Sequence, residues 1–188
     1  MKKRLLLLPF LFCFSAIALG HGYVEEPKSR AFLCKKNLNS NCGAIQYEPQ
    51  SLEGPKGFPL SGPQDGQIAS AGIPRFAALD EQTSARWVKN IITEPQQTFK
   101  WYLTARHATA NWQYFITKPD WNPNLPITRE QLILIPFCQY ATPSRPETIV
   151  EHQCVLPKEN RGYQIVLAVW SIADTENAFY QVIDLDIK

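Results

Sequence analysis

The second half of the chain alternates between apolar and polar residues with a period of two, as expected of strands with one buried face. Phe99, Trp101 and Leu103 alternate with more polar neighbours, and residues 112–116 repeat the pattern. Three further apolar segments, 131–138, 163–171 and 180–187, are bounded by Pro and Gly. Several short strands separated by turn residues predict an all-β chain folded as an antiparallel β-sandwich.

Residues 27–95 have a different composition, rich in Gly, Pro, Ser and Gln and without a sustained period. Such a segment is typical of a long, loop-dominated insertion after a first strand. Only residues 79–92 favour a helix. Asp80 and Glu81 lie near the start of that segment and Arg86 and Lys89 near its end, which is the order that a helix dipole prefers.

The N-terminus has the features of a secretory signal peptide: three basic residues at positions 2–4, an apolar run at 5–19, and small residues at Ala18 and Gly20. The run is short for a bilayer span. We predict cleavage between Gly20 and His21, so that residues 1–20 are removed and 21–188 form a single secreted domain. A retained N-terminal anchor is the alternative, and release from the cell or retention in the periplasm stays open.

Charge excludes one class of partner. The chain has 19 basic and 17 acidic side chains, and loss of the three basic residues of the signal leaves 16 against 17. No Lys/Arg cluster follows, so nucleic acid is not an expected partner. We expect a monomer that is not attached to a membrane once the signal is removed.

Cysteine usage agrees with export. Cys13 lies inside the signal, which leaves Cys34, Cys42, Cys138 and Cys154. An even number in an exported chain predicts two disulfides. Three pairings are possible, and we favour the two between sequence neighbours, Cys34 with Cys42 and Cys138 with Cys154. The spacings are unlike those of a zinc-binding CxxC pair.

The candidate metal chemistry depends on two of the three histidines, His21, His107 and His152. As a new N-terminus, His21 would offer a metal its α-amine and a ring nitrogen, and His107 follows a predicted strand end. Three nitrogens in one plane suit Cu(II), whereas zinc prefers a fourth donor. The alternative is that both are ordinary rim residues. His152 is better explained as a hydrogen-bonding residue near a disulfide.

Seven segments, in order, cover essentially all of residues 21–188 and carry a family resemblance: HGYVEEPKSR, IQYEPQSLEGPKGFP, GPQDGQIASAG, LDEQTSARW, LTARHATANWQYFITKPDWNPN, LILIPFC and LAVWSIADTENAFYQVIDLDI. They resemble the bacterial chitin-active lytic polysaccharide monooxygenases. The resemblance implies an immunoglobulin/fibronectin-III-like β-sandwich with a loop-and-helix insertion. It also implies one copper ion held in a histidine brace by His21, through amine and ring, and by His107.

The resemblance assigns further roles around the copper. Ala105 and Phe179 match the apolar axial positions, and Glu53 matches an acidic residue near the metal that hydrogen-bonds a bound oxygen species. Trp170 matches a buried aromatic beside the site. A flat polysaccharide-binding face is implied at Tyr47, Glu48, Pro49, Asp174 and Asn177. Without the resemblance, Phe179 and Trp170 are explained by core packing, and Glu53, Asp174 and Asn177 by loops and turns.

The implied reaction is oxidative: the protein binds crystalline chitin and cleaves its β-1,4 bonds by oxidation at the anomeric carbon. It would need an external electron donor and hydrogen peroxide or dioxygen as co-substrate, and cellulose stays open as a second substrate. Hydrolysis would require two facing carboxylates, and Glu53 has no evident partner for that. The alternatives are a non-catalytic secreted chitin-binding or adhesion protein and a periplasmic copper carrier.

Overall fold

The chain forms nine strands and one α-helix within residues 21–141 and 145–188, which are the residues that the computed structural model describes. The predicted signal peptide lies outside these residues. The strands are β1 (His21–Glu26), β2 (Glu53–Pro55), β3 (Asn90–Ile92), β4 (Gln96–Ala105), β5 (Thr109–Thr117), β6 (Leu132–Tyr140), β7 (Ile149–Val155), β8 (Gly162–Ile172) and β9 (Asn177–Ile187). The helix is α1 (Arg30–Lys35), and three short 3-10 helices cover Gly43–Gln46, Pro74–Asp80 and Arg129–Gln131.

The strands form two sheets, one in the order β1-β4-β7 and one in the order β2-β9-β8-β5-β6, with β3 also paired to β9. All pairs are antiparallel apart from β3 with β9, which is parallel. The predicted all-β, immunoglobulin/fibronectin-like sandwich is therefore confirmed, and the five predicted strands correspond to β4, β5, β6, β8 and β9. β7 was not predicted, because its two buried positions are His152 and Cys154 and not large apolar residues.

The six-stranded sheet is covered on both faces. On β8, Ala168 and Trp170 contribute to a core shared with the three-stranded sheet. Leu167 and Val169 point the other way, into a second core formed with the insertion. Since successive residues of a strand point to opposite faces, a strand buried on both sides is apolar throughout. The insertion between β1 and β4 is thus a third layer.

The predicted helix at 79–92 is wrong. The segment contains the end of the 3-10 helix Pro74–Asp80, then irregular chain, then β3. Tertiary contacts take the backbone groups that a helix would use: Leu79 O accepts from Arg30, and Glu81 O accepts from Trp87 Nε1 at 2.7 Å. The β-branched pair Ile91–Ile92 joins β9 instead.

The α-helix found among the described residues lies earlier, after Ser29, whose side chain accepts a hydrogen bond from Phe32 N and caps the start of α1. α1 is tied to β9 by a buried ion pair, with Arg30 Nη2 2.7 Å from Asp184 Oδ1. Tyr163 donates to the same carboxylate oxygen at 2.8 Å, and burial raises the pKa of the Tyr163 hydroxyl. These contacts fix the insertion on the sheet.

Both disulfides have the pairing favoured from sequence, Cys34 with Cys42 and Cys138 with Cys154. The first closes the turn after α1, and the second ties β6 to β7, which are edge strands of different sheets. Within the described part of the chain, no helix is both long and apolar enough to cross a membrane.

Candidate metal centre

The candidate metal ligands His21 and His107 lie at the same end of the sandwich. β1 begins there at His21, which pairs with Ala105 at the end of β4. The β4–β5 turn that follows contains His107, and the loop between β8 and β9 contains Asp174. The pairing of Thr109 with Ile172 places that turn beside that loop. Residues far apart in sequence therefore meet at this end.

The start of β1 is packed tightly. The His21 carbonyl accepts a hydrogen bond from Thr104 Oγ1 at 3.3 Å, and the His21 ring lies 6.2 Å from the Phe179 ring. A Cβ on Gly22 would lie 2.7 Å from Leu103 Cδ2, with the Trp170 ring also close. A glycine after His21 thus lets β1 lie directly on β4 and the core.

His107 is almost completely buried, with 5% of its side chain exposed, and its Nδ1 lies 3.3 Å from Asp174 Oδ1. Thr109 Oγ1 donates to the His107 carbonyl. When Nδ1–H donates to the carboxylate, Nε2 keeps its lone pair and is the nitrogen left for a metal. Asp174 is itself 56% exposed, so it can orient the ring and still face solvent.

The donor set fits Cu(II) better than a metal that needs several charged side chains. No group of three His, Cys, Asp or Glu side chains among the described residues is arranged to hold a metal ion. A histidine brace needs only two side chains, since its third donor is the α-amine. Imidazole and amine nitrogens are ligands that Cu(II) prefers, in a tetragonal arrangement.

The predicted surroundings of the metal lie on β2, β4 and β9. Glu53 pairs with Phe179 in register, and Asn177 Nδ2 donates to Glu53 Oε1 at 2.8 Å. Phe179 is buried between the His21 ring and Trp170, with its ring centroid 5.0 Å from that of Trp170. Asn177, assigned to the polysaccharide face from sequence, therefore also fixes the orientation of the Glu53 carboxylate.

The loop that carries Tyr47 is fastened beside His21. Gly22 N donates to Gln50 O at 3.2 Å, and the buried Gln181 donates to Pro49 O at 3.0 Å. Tyr47 is 82% exposed, which is unusual for an aromatic side chain. Glu48, its neighbour, is half-buried and accepts from Arg75 Nη2 at 3.0 Å.

Two of these residues were not found from the sequence. Gln181 lies inside a strand that is buried along most of its length, and Arg75 inside the irregular insertion, where periodicity gives no signal. The one usable hint for Gln181 was an amide side chain within the apolar segment 178–183, since a buried amide needs partners.

His152 lies away from this end, opposite Phe99 on β4. Its Nδ1 is 2.6 Å from the Tyr114 hydroxyl, which also accepts from Trp101 Nε1 at 3.0 Å. Burial lowers the pKa of His152 to about 4. The expectation that His152 is a hydrogen-bonding residue, beside the disulfide residue Cys154 on the same strand, is confirmed.

Fold and site together define a class: a β-sandwich with a two-histidine candidate metal centre at the end where its first strand begins. The family model for "Lytic polysaccharide mono-oxygenase, cellulose-degrading" matches residues 21–185. The chain therefore belongs to the lytic polysaccharide monooxygenase family, which confirms the resemblance drawn from the sequence segments.

Individual relatives agree with this assignment. GlcNAc-binding protein A of Vibrio cholerae is 50% identical over 183 residues, covering 91% of this chain and 38% of the relative. The AA10 lytic polysaccharide monooxygenase structure from Photorhabdus luminescens is 51% identical, with a TM-score of 0.88, and the match covers 89% of this chain and 99% of that one.

A third similar structure is described as Bacillus amyloliquefaciens CBM33 in complex with Cu(I) after photoreduction. It is 42% identical, with a TM-score of 0.82, and the match covers 89% of this chain and 100% of that one. The curated relatives are longer than this chain, which spans only about two fifths of their length.

Proposed function

We propose that this protein is a copper-dependent lytic polysaccharide monooxygenase that binds crystalline chitin and cleaves its β-1,4 bonds by oxidation at the anomeric carbon. The observation that carries the proposal is the convergence of His21 and His107 at one end of the sandwich, with His107 Nδ1 facing Asp174. The family match supports it, since that match begins at His21.

The proposed copper ligands are the α-amine and ring of His21 and Nε2 of His107. This requires removal of residues 1–20, after which 21–188 is an exported, monomeric, single catalytic domain. The similar structure with bound Cu(I) supports copper as the metal. When bound, copper supplies the redox chemistry that activates the oxygen co-substrate.

The reaction inserts one oxygen atom into a C–H bond beside the glycosidic link. With hydrogen peroxide the second oxygen leaves as water; with dioxygen, an external donor supplies two electrons, and two protons complete that water. The hydroxylated carbon then expels the glycosidic oxygen as the hydroxyl of the neighbouring sugar, which breaks the chain and leaves a lactone, and water opens the lactone to an aldonic acid end. Glu53 is the proposed acid/base group for these protons, held by the Asn177 amide. Ala105, opposite His21 on β4, and Phe179, whose ring lies 6.2 Å from the His21 ring, would give a bound copper ion apolar surroundings.

Binding is proposed to occur on the face that carries Tyr47, Glu48, Asp174 and Asn177. Pro49, assigned to this face from the sequence, is buried and its carbonyl accepts from Gln181, so it supports the face from below and does not contact the polymer. The exposed Tyr47 ring can stack on a sugar ring, and the polar groups around it can bind hydroxyl and acetamido groups. Chitin is the proposed polymer because relatives of this chain are named GlcNAc-binding proteins. The family description names cellulose, so cellulose is the second substrate to test.

The test uses protein beginning at His21, loaded with one equivalent of copper and incubated with ascorbate on β-chitin and, in parallel, on cellulose. We expect soluble chito-oligosaccharides heavier by one oxygen atom, detected by mass spectrometry and absent for His107→Ala. Binding to the polymer is measured in the same samples.

A non-catalytic chitin-binding or adhesion protein is the second candidate, and the binding-based name of the relatives is what favours it. It would bind β-chitin equally well after His107→Ala and would give no oxidised products with the unmodified protein. That pair of results would contradict the proposed enzyme.

A further inference from the structure

Arg75 projects beside the proposed polysaccharide face from a fixed position. Its guanidinium carbon lies 4.6 Å from the centroid of the buried Phe76 ring, and Nη2 donates to Glu48 Oε2 at 3.0 Å. A guanidinium stacked on an aromatic ring and bound to a carboxylate loses little further conformational freedom when it binds a ligand. The side chain is nevertheless 59% exposed.

The position of Arg75 connects it to the candidate centre. Its 3-10 helix, Pro74–Asp80, packs against Gly43–Gln46, the helix that leads into Tyr47 and Glu48. The same loop continues to Gln50, whose carbonyl accepts from the backbone N–H next to His21. Arg75 thus extends the surface on which Tyr47 is exposed.

Most of the hydrogen-bonding capacity of Arg75 faces solvent. A guanidinium has five N–H donors, and within the part of the chain that the structure describes Glu48 is its only hydrogen-bond acceptor. Because Glu48 balances the charge, the pair presents donors without a net charge. That combination suits an uncharged polymer rich in carbonyl acceptors better than an anionic one.

We propose that Arg75 is a further substrate-contact residue that favours N-acetylated polysaccharide, its guanidinium donating hydrogen bonds to the carbonyl oxygens of acetamido groups. The acetamido carbonyl is a strong acceptor that chitin has and cellulose lacks. Arg75 therefore determines specificity as well as affinity. This inference rests on the proposed function, since it assumes that the Tyr47 face is where the polymer binds.

The experiment is a binding isotherm on β-chitin with metal-free protein, so that catalysis plays no part. We expect Arg75→Gln to bind roughly five- to tenfold more weakly than the unmodified protein, the effect of losing charge-assisted hydrogen bonds at an exposed site. Arg161→Gln is the matched control. Arg161 is also exposed, and among the described residues its side chain has a single hydrogen-bond acceptor, Lys188 O at 3.0 Å.

Arg161 is distant from the face. It precedes Gly162, which pairs with Ile187 at the end of β8 opposite the β8–β9 loop, and ten residues of β8 span about 33 Å at the usual strand rise. Arg161→Gln should therefore bind chitin like the unmodified protein. Equal weakening by both substitutions would overturn the inference, because it would indicate a general effect of surface charge.

A second arm separates direct contact from an effect through Glu48. If Arg75 binds the polymer itself, Arg75→Gln weakens binding to the same extent in a Glu48→Gln background. If the loss disappears in that background, Arg75 acts only by holding Glu48 and direct contact is wrong.

A third arm tests the acetamido group with β-chitin deacetylated in steps, at a mildly alkaline pH where the new amines are mostly neutral. The affinity of the unmodified protein should fall more steeply with deacetylation than that of Arg75→Gln; parallel slopes would overturn the acetamido assignment. Unmodified protein that fails to bind β-chitin at all would instead contradict the proposed function. Normal binding by Arg75→Gln would contradict only this inference.

Discussion

Acidification should destabilise the folded domain through His152. The Tyr114 hydroxyl accepts from Trp101 Nε1, which can only donate, so its single proton goes to His152 Nδ1. The folded state therefore holds a neutral imidazole with Nδ1 unprotonated. Protonation would place an N–H on Nδ1, against the Tyr114 O–H, and the buried hydroxyl proton would lose its acceptor. This conflict adds to the effect of burial, which lowers the pKa of His152 to about 4.

Proton linkage determines whether the folded state gains or loses stability as the pH falls. In the unfolded chain this histidine has a pKa of about 6.5, so between that value and the folded value of about 4 the unfolded chain binds more protons. The stability is fully present above pH 6.5 and is lost as the pH falls toward 4. From pH 7 to pH 5 the loss amounts to about 1 to 2 kcal/mol. For a domain of this size that lowers the melting temperature by about 2 to 8 °C.

The assay is thermal unfolding of metal-free protein, beginning at His21, at several pH values between 7 and 5. His152→Gln is the control, because a glutamine amide oxygen can accept from Tyr114 and does not titrate. Its melting temperature should depend less on pH, so the difference between the two proteins should narrow or reverse as the pH falls. If the melting temperatures of the two proteins fell by the same amount between pH 7 and pH 5, the reasoning would be refuted, because the acid sensitivity would then come from other groups.

Three further predictions concern packing and metal binding. Asp184→Asn leaves the buried Arg30 without its counter-charge, and we expect a loss of about 3 to 5 kcal/mol in urea unfolding; an unchanged midpoint would contradict this. Gly22→Ala places a Cβ 2.7 Å from a leucine side-chain carbon, which should cost about 1 to 3 kcal/mol in the same assay; full stability would mean that β1 can shift. Asp174→Ala removes the carboxylate beside His107 Nδ1, so calorimetry should show about tenfold weaker Cu(II) binding; unchanged affinity would show that Asp174 does not orient the ring.

Local sequence patterns predicted those elements whose buried positions are filled by large apolar residues, and failed where tertiary contacts decide the backbone conformation. Alternation placed Phe99, Trp101 and Leu103 on one buried face of β4, and all three are buried. The same rule missed β7, because its buried positions are filled by a histidine and a half-cystine. The order of charges, and not alternation, predicted a helix at 79–92, and that prediction was wrong. Arg30 and Trp87 take the carbonyls there for contacts across the insertion.

The candidate site was likewise predictable only in part. The sequence segments indicated the family and selected His21, His107, Glu53 and the Tyr47 loop as candidates, but the bonds between them were not predictable. The hydrogen bond of Asn177 to Glu53 spans 124 residues, and that of Arg75 to Glu48 spans 27.

By itself, the sequence determined five of the strands, the length of the insertion, the pairing of cysteines that are near in sequence, and the family. Each of these depends on local spacing or on contiguous segments. Only the tertiary structure decided that the start of β1, the β4–β5 turn and the β8–β9 loop lie at one end of the sandwich. Strand order and register bring those residues together, and both depend on which faces are buried against each other, which no single segment specifies.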